Sequence, residues 1–418
     1  MRITEEASEL RGFAPSPARR GGLGWGPFFA LLLALFMGQA HAQSGAPEAP
    51  PPPRIGVVTM APGAIFWERF GHDAIVVDDP AQPGPVSYNF GFFDLGEDGF
   101  VGRFVKGEMQ YMLVALPLRE DLQYYRETGR GAILQWLELE PAQARRLADE
   151  LAENARPENA RYRYDYYTDN CSTRVRDALD RALGGALQRQ LRGRSSGDSY
   201  RGESVRLASP AAWMSLGFDL ALGPYGDRPL SRWEQAFLPR RLADDLRELK
   251  RADGRPLVAE ERELLPQRQA PEPAETPRRW WPWLLLGLAA GATILVLAPR
   301  SPRATAALAG VFWLLCGLLG GVLAMAWGFT EHRALWANRN LLLLDPLCLL
   351  LLPGAWTLLR GRDPSARFRV LLAVVAAIAA LAVVPLWLQV LPQRNGHWIA
   401  LLLPIHLALA WTWCRRKA

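Results

Sequence analysis

Cysteine and histidine are scarce in this chain: 418 residues carry 4 Cys and 5 His. Between the N-terminal apolar run and the apolar C-terminal part there is a single thiol, Cys171, and a single imidazole, His72; His41 falls in the N-terminal region. A lone cysteine excludes a disulfide within its own domain, and with it the small stapled folds common among exported proteins. Cys316, Cys348 and Cys414 lie in apolar runs, where a thiol is by default a small packing group. Neither a cofactor nor a metal is expected.

A near-zero mean hydropathy averages a soluble half with an apolar one, so composition is read by segment. Residues 1–43 join Arg19 and Arg20 to an apolar run over 23–37 and to the small residues Gly38, Ala40 and Ala42. That order reads as a secretory signal peptide, with an uncleaved anchor as the alternative. Residues 44–53, with Pro47 and prolines 50–53, read as an extended linker. A soluble domain over 54–264, a Pro- and Glu-containing tether over 265–279 and a membrane domain over 280–418 follow.

Five apolar stretches, 283–298, 304–329, 341–359, 370–391 and 398–414, approach the length needed to cross a bilayer. Alternate connections hold Arg300 and Arg303, then Arg360, Arg362, Arg367 and Arg369, then Arg415, Arg416 and Lys417. The opposite set holds Arg333, Arg339 and Arg394, with Arg278 and Arg279 before the first stretch. By the positive-inside rule the first set is cytoplasmic, so the soluble domain and the loops around His332 and His397 lie outside the inner membrane. The net charge of +6 is then partly a topology signal rather than a sign of nucleic-acid binding. Glu331, His332, Asn338, Arg339, Asn340 and Asp345 cluster at one outer loop, where they either hold headgroups or are simply solvated. Because signal peptide and first span are independent features, the domain ending near Glu275 is expected to be separable as a soluble protein.

Within the soluble part, 55–60, 74–77 and 86–90 read as strands, and His72 stands at the mouth of the second. Residues 118–128 and 141–154 read as helices around a strand at 132–139. Asp169-Asn170-Cys171-Ser172-Thr173-Arg174 runs into an apolar face of Val175, Ala178, Leu179, Ala182 and Leu183, stopped by Gly184-Gly185. Asp169 or Asn170 is a natural N-cap. Cys171 then sits in a helix's first turn, where free amides favour a thiolate, so it is expected to titrate below ~8.5. The residues alone leave two readings open: a nucleophile with its base, or two structural residues.

Phe70-Gly71-His72-Asp73-Ala74, Tyr88-Asn89-Phe90-Gly91-Phe92-Phe93-Asp94, Tyr164-Asp165 and the Asp-Asn-Cys-Ser-Thr-Arg string resemble the Lnb N-terminal periplasmic domain family. Phe237-Leu238-Pro239 and the loop from Trp336 to Leu341 are similar to it as well. The resemblance implies an α+β permuted papain-like periplasmic domain followed by an all-α transmembrane bundle of about five helices. The order of histidine before cysteine also resembles lecithin:retinol acyltransferase and its relatives. It implies an acyltransferase that moves a fatty acyl chain from a phospholipid to the N-terminal amine of a lipoprotein. Phospholipid donor, lipoprotein acceptor and membrane are its implied partners, with Cys171 as nucleophile and His72 as base. The third polar member is not marked by a motif; Asn89, in the next strand, is the first choice, an ordinary strand-end amide the alternative. A cell-wall peptidase or amidase using the same pair, and a non-enzymatic envelope assembly protein, are the rival readings. Oligomeric state is not legible.

Overall fold

A side chain alternates between the two faces of a strand, and in this chain both faces of the central strands are buried. β1 (Arg54–Met60), β2 (His72–Asp78), β3 (Val86–Phe92), β4 (Gln110–Pro117), β5 (Ala132–Leu137), β6 (Arg161–Arg163) and β7 (Val258–Leu265) form one sheet. Its order is β6-β4-β3-β2-β1-β5-β7, and every neighbouring pair is antiparallel. Ile55, Val57, Ile75 and Val77 enter one core; Val58, Met60, Ala74 and Val76 enter the other. The computed structural model describes residues 51–275, 277, 279–388 and 392–415. The expected signal peptide, most of the proline linker, Arg278, Arg416 and Lys417 lie outside them.

The helices of the soluble part are α1 (Phe100–Lys106), α2 (Leu118–Thr128), α3 (Pro141–Asn154), α4 (Cys171–Ala182), α5 (Ala186–Leu191), α6 (Tyr200–Ala208), α7 (Ala212–Ala221), α8 (Arg232–Gln235) and α9 (Pro239–Glu248). Leu122 and Tyr125 of α2 cover one face of the sheet; Leu147 and Leu151 of α3 and Val175 and Leu179 of α4 cover the other. α3 starts where the sequence says it should, with Pro141 in the first turn and a capping box between Glu140 and Gln143. α4 stops at Gly184 and Gly185, with φ of +62° and +82°, a region open to glycine at little cost. β7 escapes a sequence reading because it is an edge strand carrying Glu260, Glu261, Arg262 and Glu263, charges that guard an open edge.

The apolar half holds α10 (Trp281–Arg300), α11 (Pro302–Phe329), α12 (Leu352–Leu359), α13 (Ala366–Leu381), α14 (Val384–Leu388) and α15 (Gly396–Cys414). They make five segments long and apolar enough to cross a membrane: Trp281–Arg300, Pro302–Phe329, Arg339–Leu359, Ala366–Trp387 and Gly396–Cys414. The third is irregular: it runs through 3-10 turns, the last opening at Pro346, before α12, whose first turn carries Pro353. Gly287 lets α15 approach α10 closely: a Cβ there would stand 2.5 Å from the carbonyl oxygens of Ala400 and Leu401.

The soluble part is bolted to one end of this bundle. Asn338 donates to the carbonyls of Leu220 (2.9 Å) and Ala221 (2.8 Å), and Asn340 to Leu220 (2.9 Å). Gln393 and Asn395 brace those two asparagines at 2.9 Å each. His397 meets Asp219 at 2.5 Å, and Arg394 N–H donates to Asp227 at 2.9 Å. Leu220 and Ala221 pack on the core of the bundle. One expectation is corrected here. Asn338 and Asn340 are buried and hold α7, so they are not free for headgroups. A domain cut at Glu275 would lose these partners for the carbonyls of α7. The loops at this joint are those poor in Arg, whereas Arg303 begins and Arg360 follows spans whose other ends lie here.

Candidate active site

Every residue of the Asp-Asn-Cys-Ser-Thr-Arg string has a definable task. Asn170 caps α4: its Oδ1 accepts from Thr173 N–H (2.9 Å), and its own N–H donates to Thr173 Oγ1 (2.8 Å). Its Nδ2 donates to the carbonyls of Tyr166 and Phe237, both at 2.9 Å. With all its polar atoms engaged the cap cannot swing. Arg174 grips Asp169 through two nitrogens, at 2.5 and 2.9 Å, and lies 3.6 Å from the centroid of the Tyr162 ring. Ser172 donates to Asp73 Oδ2 at 2.7 Å, while Thr59 donates to Asp73 Oδ1 at the same distance. That buried carboxyl thus ties α4 to β2 and β1.

Cys171 is the first residue of α4. β2 and β3 pair as far as Ala74 with Asn89 and then part, β3 shifting register between Asn89 and Phe92. The start of α4 enters that gap. On one side the backbone N–H groups of Asp73, Ser172 and Cys171 itself favour charge on the sulfur. On the other is Gly91, φ +94°, where a Cβ would lie 3.6 Å from Cys171 Cβ and 3.8 Å from the Tyr162 hydroxyl. A side chain at position 91 would fill the space between thiol and phenol.

His72, the residue before Asp73, opens β2. Its Nε2 lies 3.0 Å from Asn89 Oδ1, and Asn89 Nδ2 donates to Asp121 Oδ2 at 3.0 Å. Ser87 Oγ donates to the same carboxylate oxygen at 2.7 Å. Because Asp121 accepts, the Asn89 amide must present its oxygen to the imidazole. Nε2 therefore carries the hydrogen of the neutral ring, which leaves Nδ1 as the basic nitrogen. His72 and Asn89 are thus brought together, and Cys171 is held beside the backbone that follows His72.

Electrostatics correct one expectation. Cys171 keeps some exposed surface, yet burial pushes its thiol up to about 12, helped by the charge of Asp73 and opposed by the three N–H groups. Desolvation outweighs the helix start, so the resting sulfur is a thiol rather than a depressed thiolate. Burial also lowers the pKa of His72, against the charge of Asp121 and the Asn89 bond and with the charge of Arg130. The resting pair is neutral. Burial raises Asp73 to about 6.

Sequence reasoning missed four contributors. Asp121 is one of two acidic residues in the first turn of α2, and no motif marks it. Arg130 forms a buried ion pair with Glu68 at 3.1 Å and donates to Ala61 O at 2.9 Å, fixing the loop that leads to His72. Asp73 and Tyr162 are the others. The Tyr162 hydroxyl is buried with no hydrogen-bond partner among the described residues, and burial raises its pKa, so it stays a donor.

Elsewhere, a cavity of about 1560 Å³ lies between α6, the tether, α10 and α15, and no wall of it comes from Cys171, His72 or Asn89. Asp198, Glu203 and Glu275 on its rim lie close enough together for a cation. Arg241 Nη2 already bridges them, at 3.2, 2.7 and 3.4 Å.

Two family models match the chain. One, described as the Lnb N-terminal periplasmic domain, covers residues 51–206; the other, the Lnb transmembrane domain, covers residues 274–417. No curated protein and no solved structure matches. The matches run in chain order over the α+β sheet domain and the five apolar segments, and the chain belongs to the Lnb family.

Proposed function

We propose that this protein is a thiol acyltransferase of the bacterial inner membrane, with its sheet domain in the periplasm. It moves an acyl chain from a phospholipid through a thioester on Cys171 to the N-terminal amine of a lipoprotein. The observation that carries this reading is the hydrogen-bonded chain His72–Asn89–Asp121, with Cys171 at a helix start held against the backbone of Asp73, the residue after His72. Such a chain gives an imidazole one basic nitrogen and a fixed plane.

In the first half-reaction His72 Nδ1 takes the Cys171 proton as sulfur attacks the ester carbonyl carbon. The charge of Asp121 stabilises the imidazolium through Asn89. The carbonyl oxygen becomes an oxyanion, and the N–H groups at the start of α4 and the Tyr162 hydroxyl are its donors. Collapse breaks the ester C–O bond; the leaving lysophospholipid oxygen takes the proton from His72, and a thioester remains. In the second, the neutral α-amine, with a reference pKa near ~8, attacks the thioester carbonyl. His72 takes the amine proton and returns it to the departing sulfur, which closes the cycle.

Incubation with phosphatidylethanolamine and no acceptor should leave one acyl mass on the Cys171 peptide, labile to hydroxylamine. Cys171→Ala should lose that mass and lipoprotein N-acylation together. Full N-acylation by Cys171→Ala, in cells with no other N-acyltransferase, overturns the proposal.

A further inference from the structure

Large apolar side chains are exposed on three neighbouring elements of the sheet domain. The loop 64–67 shows Phe66 and Trp67 (55% exposed), α7 shows Trp213 (70%) and Leu216, and α1 shows Val101 (70%) and Val105. Phe66 stacks between Trp213 and Phe218, with centroids 6.4 and 6.3 Å apart. Trp67 meets Phe93 edge-on at 6.3 Å, and Phe93 stacks on Phe100 of α1 at 5.7 Å. The three elements therefore share one surface. Left in water such a surface is unfavourable.

Its height above the membrane is set by hydrogen bonds. The carbonyl of Lys106, the last residue of α1, accepts from the N–H of Glu331 at 2.7 Å. Glu331 stands two residues beyond Phe329, where α11 ends, so α1 ends within about 7 Å of chain from that span. α7 ends on Asn338, immediately before the span Arg339–Leu359. Both elements are thus tied to the level at which spans leave the hydrocarbon. The same surface borders the gap that holds Cys171: loop 64–67 leads into His72, and Phe92 and Phe93 follow Gly91.

We infer that this surface is seated in the outer leaflet of the membrane and forms the doorway through which a lipid ester reaches Cys171. Tryptophans favour the interfacial zone, and an apolar helix lying in that plane buries its exposed face among the acyl chains. An ester linkage sits at the boundary of headgroup and chain, so a thiol bordered by such a surface meets it without lifting the lipid into water. The seating stands on the contacts above; the doorway rests on the proposed acyl transfer.

The test uses the full-length protein in vesicles of phosphatidylethanolamine and phosphatidylglycerol doped with a phospholipid carrying a diazirine on its acyl chain. Photolabel is expected on the peptides containing 64–67 and 213–216 as well as on the spans. Label confined to the spans overturns the seating. A second readout is the ratio of turnover on vesicle phospholipid to turnover on a water-soluble short-chain ester. In the Trp67→Ser/Trp213→Ser double variant that ratio should fall roughly ten-fold, the equivalent of about 1.4 kcal/mol; an unchanged ratio overturns the doorway. Photolabelling needs no chemistry and is repeated in Cys171→Ala. Label there, with no turnover of either ester by the unaltered protein, counts against acyl transfer and the doorway alike while supporting the seating.

Discussion

His72 Nε2 and Asn89 Oδ1 stand 3.0 Å apart, and the amide of Asn89 cannot turn over without losing Asp121. One strand therefore dictates the tautomer of an imidazole on its neighbour. The residue chosen from strand order alone is the one in contact with His72, and the carboxylate behind it supplies charge without touching the ring.

Replacing Asn89 tests that arrangement. Asn89→Ala frees the ring and parts it from Asp121, and turnover should fall about 10²-fold or more, in the range typical of general-base contributions. Asn89→Asp sets a second carboxylate beside both Asp121 and the ring. Added negative charge raises an imidazole pKa, so the acid limb of the rate profile should move to higher pH. Profiles for the three proteins decide this; an unmoved limb in Asn89→Asp would show that position 89 is electrostatically remote.

The pH dependence of the unaltered protein follows from the directions of the shifts. Burial lowers His72 below its usual 6.5, so the ring stays neutral, and basic, below the pH at which a free imidazole charges. The acid limb of kcat/KM is expected below 6.5 on that account. Burial holds the Cys171 thiol up at about 12, so in lipid-free protein the rate of iodoacetamide alkylation should keep climbing past ~8.5, where an ordinary thiol begins to level off. A plateau near neutrality would mean a standing thiolate–imidazolium pair instead.

Tyr162→Phe removes one hydroxyl and leaves the ring under Arg174. Loss of an oxyanion donor costs about 10²–10³ in kcat where such donors have been deleted. Attack on an ester should therefore slow while alkylation of Cys171 by iodoacetamide, which forms no oxyanion, holds its rate. Parallel loss in both assays would assign the phenol to packing.

Scarcity singled out the candidate pair: one thiol and one imidazole in a domain leave little choice, and the apolar face from Val175 to Leu183 sets Cys171 at the start of a helix. The five spans were legible because length and composition suffice for them. Asp121 was not, since it reaches the site only when α2 lies across the strand carrying Asn89. The thiol's titration was misjudged for a related reason: a helix start is a local feature, whereas the desolvation that overrides it is created by β2, β3 and the tyrosines folding around Cys171. α7 is short and apolar, and only its attachment to the outer loops gives those properties meaning.

That attachment bears on truncation. A protein ending at Glu275 keeps its sheet but removes Asn338 and Asn340 from the carbonyls of Leu220 and Ala221 and His397 from Asp219, and bares the apolar side of α7 that packs on the bundle. Exposed apolar patches favour association. The truncated protein is expected in aggregates or detergent micelles rather than as a free monomer, as size-exclusion chromatography with and without detergent would reveal.

The asparagines at the joint bind main-chain oxygens of α7, an arrangement indifferent to which side chains that helix bears. Trp213 and Leu216 can therefore be exchanged for other apolar residues without breaking the bonds that join the sheet domain to the apolar helices. The fold thereby separates how α7 is docked, through main-chain atoms, from what α7 displays, through side chains.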